Sequence, residues 1–225
     1  MNGDFHGFSR NGLTFLADLG ANNERPWFQA HKEDYQTFIQ TPMRRLVSAL
    51  APHLAAIDSQ IDVDPQGGAV SRIHRDTRFA HDKSPYRVNQ WIVFKRPLKD
   101  WASRPAFFME FGPGGYRWGM GTCGAVPASM TKFKAFIAAH PERLSNAMDQ
   151  ARKTGLDLDG ERFARPRPAP GDNPDVAAWH QMKNGYLGQQ RPIDDVFLST
   201  ELAGLLLGQF QAATGLYHLW AEALL

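Results

Sequence analysis

The sequence predicts a single α+β domain, residues 1–225, in which a central antiparallel sheet from the middle of the chain packs against N-terminal and C-terminal helices. Three observations lead there. Apolar residues recur at helical spacing over residues 9–57, over 127–153 and again within 174–225. Between the first two lies a segment, 69–124, with strand-like alternation and β-rich runs. The strand candidates also follow one another through local connections, as antiparallel neighbours do.

The chain is 225 residues long, enough to bury about 70% of the surface its unfolded form exposes. With 25 Lys and Arg against 23 Asp and Glu, the formal net charge of +2 gives no general affinity for nucleic acid, so any basic site must be local. Cys123 is the only cysteine, which excludes an internal disulfide or a cysteine-built zinc site and favours a reducing, cytoplasmic setting. The stretch MNGDFHGFSRNG has neither the basic nor the apolar region of a signal peptide, and no run reaches the roughly 18 apolar residues of a membrane span.

Taking the elements in order, Ser9 or Asn11 caps a first helix carrying Leu13, Phe15, Leu16 and Leu19, which Gly20 and Asn22-Asn23 stop. Pro26 suits the first turn of a second helix with Trp27, Phe28, His31, Tyr35 and Phe38, and Thr41-Pro42 repeats that signal for a third, in which Pro52 should introduce a kink. Val70 to Arg75 alternates as a strand; Trp91 to Phe94 and Phe107 to Phe111 are further strands, and Gly112-Pro113-Gly114-Gly115 turns the last into Tyr116-Arg117-Trp118. Helices return at 127–140 and 141–153. The prolines of 165–171 favour an extended connection. A helix around Trp179, an extended piece from Tyr186 to Ile193 and one or two terminal helices close the core. No repeat is visible.

The densest polar segment runs from Arg72 to Arg96. Arg72, Arg75, Arg78, Lys83, Arg87, Lys95 and Arg96 stand against only Asp76 and Asp82. Two arginines can hold a carboxylate or phosphate bidentately, a lysine adds a point charge and a tyrosine hydroxyl a donor. Arg72, Arg75, Asp76, Arg78, Lys83 and Tyr86 are therefore the candidate ligand-binding residues, with Asp76 orienting an arginine. The same acids can instead be internal partners of Arg78 and Lys83 in a purely structural network. The interleaved aromatics Phe79, Tyr86 and Trp91 allow a third reading, stacking in a nucleic-acid contact.

Other motifs carry less. Gly119 to Gly124 spells G-x-G-x-x-G, but it follows a hairpin rather than the first strand of a dinucleotide-binding unit. A Gly-rich strand edge accounts for it better. Cys123 lacks an evident activating base, and the eight histidines show no metal-ligand spacing. The face with Trp27, Phe28, His31, Lys32 and Tyr35 is the second place to look for a pocket, although His31 reads first as a core histidine. Asn184 and Tyr186 read either way.

The run Arg75-Asp76-Thr77-Arg78-Phe79-Ala80-His81-Asp82-Lys83-Ser84-Pro85-Tyr86-Arg87, together with Asn22-Asn23-Glu24-Arg25-Pro26-Trp27-Phe28 and the Gly-rich hairpin before Pro127, resembles the family catalogued as domain of unknown function 2461. Arg87 departs from the usual lysine, keeping the charge and changing the donor geometry, and Val88 to Trp91 is less typical. The resemblance covers most of the chain and implies a shared fold. It implies no reaction.

The expectation is thus a small-ligand domain with a basic pocket for a phosphate- or carboxylate-bearing molecule, without metal or cofactor. The alternative is a non-enzymatic module for nucleic acid or protein using the same charges. Catalytic residues and oligomeric state have no signal in the sequence.

Overall fold

The computed structural model describes residues 5–78, 81–124 and 127–225. Helix α1 (Arg10–Ala21) begins where Ser9 leaves extended backbone and its hydroxyl accepts the Gly12 N–H at 3.2 Å, satisfying one of the open donors of the first turn. It buries Phe15, Leu16 and Leu19. Helix α2 (Arg25–Ala30) carries Pro26 in its first turn, as expected.

The next stretch differs from the reading of two separate helices. Helix α3 (Lys32–Tyr35), a π turn (Gln36–Gln40) and α4 (Thr41–Ile57) form one unbroken helical path. Pro42 lacks an N–H and its ring crowds the preceding turn of a regular helix; the wider i→i+5 turn just before it relieves both problems. Helix α4 continues through Pro52 and buries Met43, Leu46, Val47, Leu50 and Leu54.

Residues 69–75 alternate as expected, with Ala69, Ser71 and Ile73 buried and Arg72 and His74 exposed. They run antiparallel to 85–93 through Ser71 N–H to Trp91 O (2.9 Å), Val93 N–H to Ala69 O (2.8 Å), Arg75 N–H to Pro85 O (2.9 Å) and Arg87 N–H to Ile73 O (2.8 Å). Only isolated bridges form, Val70 with Ile92 and His74 with Tyr86. One local cause is visible at Ser71, whose hydroxyl accepts the Trp91 N–H at 3.0 Å.

Strands β1 (Gln90–Phe94), β2 (Ala106–Gly112), β3 (Gly115–Gly121), β4 (Asp157–Arg162) and β5 (Met182–Arg191) form an antiparallel sheet in the order β1-β2-β3-β5-β4. With helices before and after it in the chain, this is an α+β fold. Pro113-Gly114 makes the β2–β3 hairpin. β4 pairs with β5 in the register Asp157 to Gly188 through Gly160 to Gly185, with an irregularity at Glu161/Arg162.

Helices α5 (Pro127–Ala139), α6 (Pro141–Arg152), α7 (Pro174–His180) and α8 (Glu201–Ala223) complete the elements. The C-terminal apolar segment is one helix. The 165–171 connection is without regular structure, and Gln181 holds its backbone at Arg167 through both the N–H (3.0 Å) and the carbonyl (2.6 Å).

The chain divides into two units. The first comprises residues 1–93, 109–117 and 190–205. Its helical part is centred on Leu16, Leu19, Ile39, Leu46, Leu50 and Leu54, and Phe8 packs on Phe111 (4.4 Å) and Phe197 (4.9 Å). The second comprises 94–108, 118–189 and 206–225. Here Phe133 stacks on Trp220 at 4.2 Å, Trp179 meets both rings edge-on, and Phe107 stacks on Tyr217 at 5.0 Å.

Candidate functional site

The charges of the 72–87 segment are sorted by their partners. Asp76 accepts Arg78 bidentately, Nε at 3.0 Å and Nη2 at 2.7 Å, and also its backbone N–H. These hydrogen bonds from Arg78, side chain first, hold the Asp76 carboxyl at a pKa of about 2. Asp82 accepts the Ser84 hydroxyl (2.7 Å), the Ser84 N–H (2.9 Å) and the Arg75 guanidinium. That set, led by Ser84, pulls its pKa below the usual carboxylate range. Lys83 donates to the Thr77 carbonyl at 3.0 Å. Phe79 lies outside the described residues.

Tyr86 is buried, and its backbone is clasped by Asn23: the Tyr86 N–H reaches Asn23 Oδ1 at 2.9 Å and Asn23 Nδ2 reaches the Tyr86 carbonyl at 3.0 Å. Its ring stacks on Phe28 at 4.3 Å. The Asn22 to Phe28 element and the central motif are thus joined by direct contact, although 63 residues separate Asn23 from Tyr86.

Of the six predicted residues, Arg72 lines a cavity that the other five do not. This cavity, of about 410 Å³ in the first unit, is walled by Phe28 of α2, by Lys32, Tyr35, Gln36, Gln40 and Arg44 from the helical path and by residues 65–67 and 70–74. Its wall holds three permanent cations, Lys32, Arg44 and Arg72, and His74, with no Asp or Glu. Among the described residues none of Lys32, Arg44 and Arg72 makes an ion pair. The adjacent acids are engaged locally: Asp62 accepts the N–H groups of Asp64 (3.0 Å) and Gly68 (3.2 Å), and Asp64 that of Gln66 (2.8 Å).

The helical wall depends on the π turn. Lys32, Gln36, Gln40 and Arg44 recur every four residues, and in a regular helix each such step overshoots a full turn by about 40°. The wider π turn offsets part of that excess, and all four side chains line the cavity. Tyr35 lies at the base of this row; burial raises its pKa, with the Arg44 charge pulling the other way.

A family model described as "Conserved hypothetical protein (DUF2461)" matches residues 11–219. The chain belongs to that family. No curated protein matches it.

The remaining sequence motifs of this DUF2461 chain are explained by packing. Gly119 lies in β3 where a Cβ would meet the Leu187 carbonyl oxygen at 2.0 Å, so the glycine permits close strand approach. Cys123 is exposed, and desolvation by its surroundings raises its thiol pKa against the partial pull of Lys95, the opposite of an activated nucleophile. His31 stacks on Trp27 at 4.0 Å, with Nδ1 2.8 Å from the Trp27 carbonyl. Tyr186 donates to Asp159 at 2.8 Å and Asn184 to Glu161 at 3.3 Å, tying β5 to β4. Among the described residues no group of three or more His, Cys, Asp or Glu is placed to hold a metal, and no helix is long and apolar enough to cross a membrane.

Proposed function

We propose that this DUF2461 domain binds a small molecule through an anionic group, phosphate or carboxylate, in the cavity lined by Lys32, Arg44 and Arg72. One observation carries the reading: three permanent cations share a wall that contains no carboxylate. Cations gathered at one opening without a carboxylate attract an anion, which they can hold through charge-assisted hydrogen bonds. The volume of about 410 Å³ suits a metabolite-sized ligand. A π turn at the wall agrees with the frequent placement of such turns at functional sites.

The proposal moves the site away from most of the charges that drew attention in the sequence. Arg75, Arg78 and Lys83 act as loop fasteners with Asp82, Asp76 and the Thr77 carbonyl, Tyr86 supports Phe28 from behind, and Arg72 belongs to the ligand. The one serine of the wall, Ser71, is held by Gln90 and Trp91 and is not hydrogen-bonded to His74 among the described residues, so the function proposed is binding, without an assigned reaction. We place the protein in the cytoplasm, a setting that suits its lone exposed thiol.

The test is thermal unfolding in rising inorganic phosphate. Above Kd the gain should grow with the logarithm of phosphate concentration, reaching about 2.7 kcal/mol at one hundred times Kd, which for a chain of this size is about 5–10 °C in Tm. Arg44→Met should remove it. A nucleic-acid patch would give instead binding to single-stranded oligonucleotides that falls steeply with salt, and no saturable response to phosphate.

A further inference from the structure

Resting on the anionic-cavity reading, we infer that the ligand is a phosphate monoester carried on a hydroxylated body, rather than a carboxylate or a nucleotide base. The first part follows from charge. A monocarboxylate neutralises one of the three cations of the wall, whereas a phosphate monoester brings a charge of about −1.5 to −2 at neutral pH and three acceptor oxygens. Lys32 and Arg44 come from the helical path and Arg72 from the 70–74 segment, so the cations reach the space from two separate stretches of chain. A tetrahedral, dianionic face of three oxygens can be held from both, while a planar carboxylate is matched by one guanidinium alone.

The second part follows from what else lines the space. Recognition of a base needs an aromatic face free to stack. Phe28 and Tyr35 of the wall are only 3% and 5% exposed, Phe28 already stacks on Tyr86, and the third ring, exposed His74, meets Phe28 edge-on and Tyr86 at a tilt. The wall offers instead the carboxamides of Gln36, Gln40 and Gln66, whose side chains have no hydrogen-bond partner among the described residues. Each carries both donors and acceptors, the complement of hydroxyl groups. Ser71 is already committed, donating to Gln90 and accepting from Trp91.

The experiment is titration calorimetry on the full chain at one pH and salt concentration, with inorganic phosphate as control and three probes: glucose 6-phosphate, glucose 6-sulfate and adenosine monophosphate. The sulfate ester has the same body and shape with a single charge. Glucose 6-phosphate should bind more tightly than the sulfate ester by about tenfold to a hundredfold, the worth of one charge-assisted hydrogen bond. It should also bind more tightly than adenosine monophosphate, and Gln36→Leu should weaken glucose 6-phosphate by a larger factor than inorganic phosphate; an equal loss for both overturns the hydroxyl-recognising role of Gln36. Equal binding of the phosphate and sulfate esters overturns the dianion inference, and tighter binding of adenosine monophosphate overturns the hydroxylated body. Either result leaves the anionic cavity standing so long as inorganic phosphate binds; absence of phosphate binding removes the cavity reading itself.

Discussion

Replacing Arg72 by methionine should make the empty protein more stable while abolishing its response to anions. Arg72 is exposed and makes no ion pair among the described residues, yet it stands in a positive neighbourhood. The Arg87 guanidinium shows this: its pKa is lowered, first by its own burial and then by the charges of Arg75 and Arg72. The nearby Asp76 is already held bidentately by Arg78, and Arg72 exerts only the smallest of the pulls on it. Methionine keeps much of the apolar stem and removes the charge. Relief of solvent-screened repulsion at such a site is worth about 0.3–1 kcal/mol, or about 1–3 °C in Tm for a chain of this length. Scanning calorimetry in phosphate-free buffer, then with saturating phosphate, reads both effects: a small rise for the empty variant, and no further gain with phosphate, where the unaltered protein gains. A fall in the Tm of the empty variant would refute the reasoning, because it would show that Arg72 already serves the fold.

Three further outcomes follow from the geometry. Gly119→Ala forces a Cβ against the Leu187 carbonyl and the Gly188 Cα, both backbone atoms, and should cost about 2 kcal/mol or more, a fall of about 4–8 °C in Tm by calorimetry. Asp175→Ala removes a carboxylate 7% exposed from a guanidinium 42% exposed; urea denaturation should show a loss of about 1–2 kcal/mol, less than a fully buried pair gives because Arg152 can turn to water. The Asp76 carboxyl should titrate by NMR at about pH 2. Its folded pKa lies below the unfolded value of about 3.9, so the stabilisation from its bonds with Arg78 is present above pH 4 and disappears as pH falls through 2. Faster amide exchange at Arg78, whose N–H Asp76 accepts, over that window is the accompanying signal.

The sheet strands at 91–94, 107–111 and 116–118, the first-turn prolines and the Ser9 cap were legible because each rests on local chemistry: β-rich runs, fixed φ and a short hydroxyl. β4 was not. Its sequence, DLDGER, has no apolar face, since it is the outermost strand in the order and charges suit an exposed edge. The basic segment was correctly singled out as dense, but sequence cannot say which cations its own acids will take. Asp76 takes Arg78, two residues away, as the structural reading had it; Asp82 takes Arg75, seven residues away, rather than Lys83, which donates to the Thr77 carbonyl instead. Lys32 and Tyr35 were noticed as part of a face. Gln36, Gln40 and Arg44 were missed although their four-residue spacing was present, because Thr41-Pro42 reads as a new helix start and cuts the row in two. Only the π turn joins it.

The central claim is that Lys32, Arg44 and Arg72 hold an anion between them. A crystal soaked in tungstate, an oxyanion located by its anomalous scattering, tests this most directly. The account predicts a peak within hydrogen-bonding distance of the Arg44 and Arg72 guanidinium groups, with Lys32 turned toward it. An empty cavity with tungstate bound instead at Arg75, Arg78 or Lys83 would contradict it.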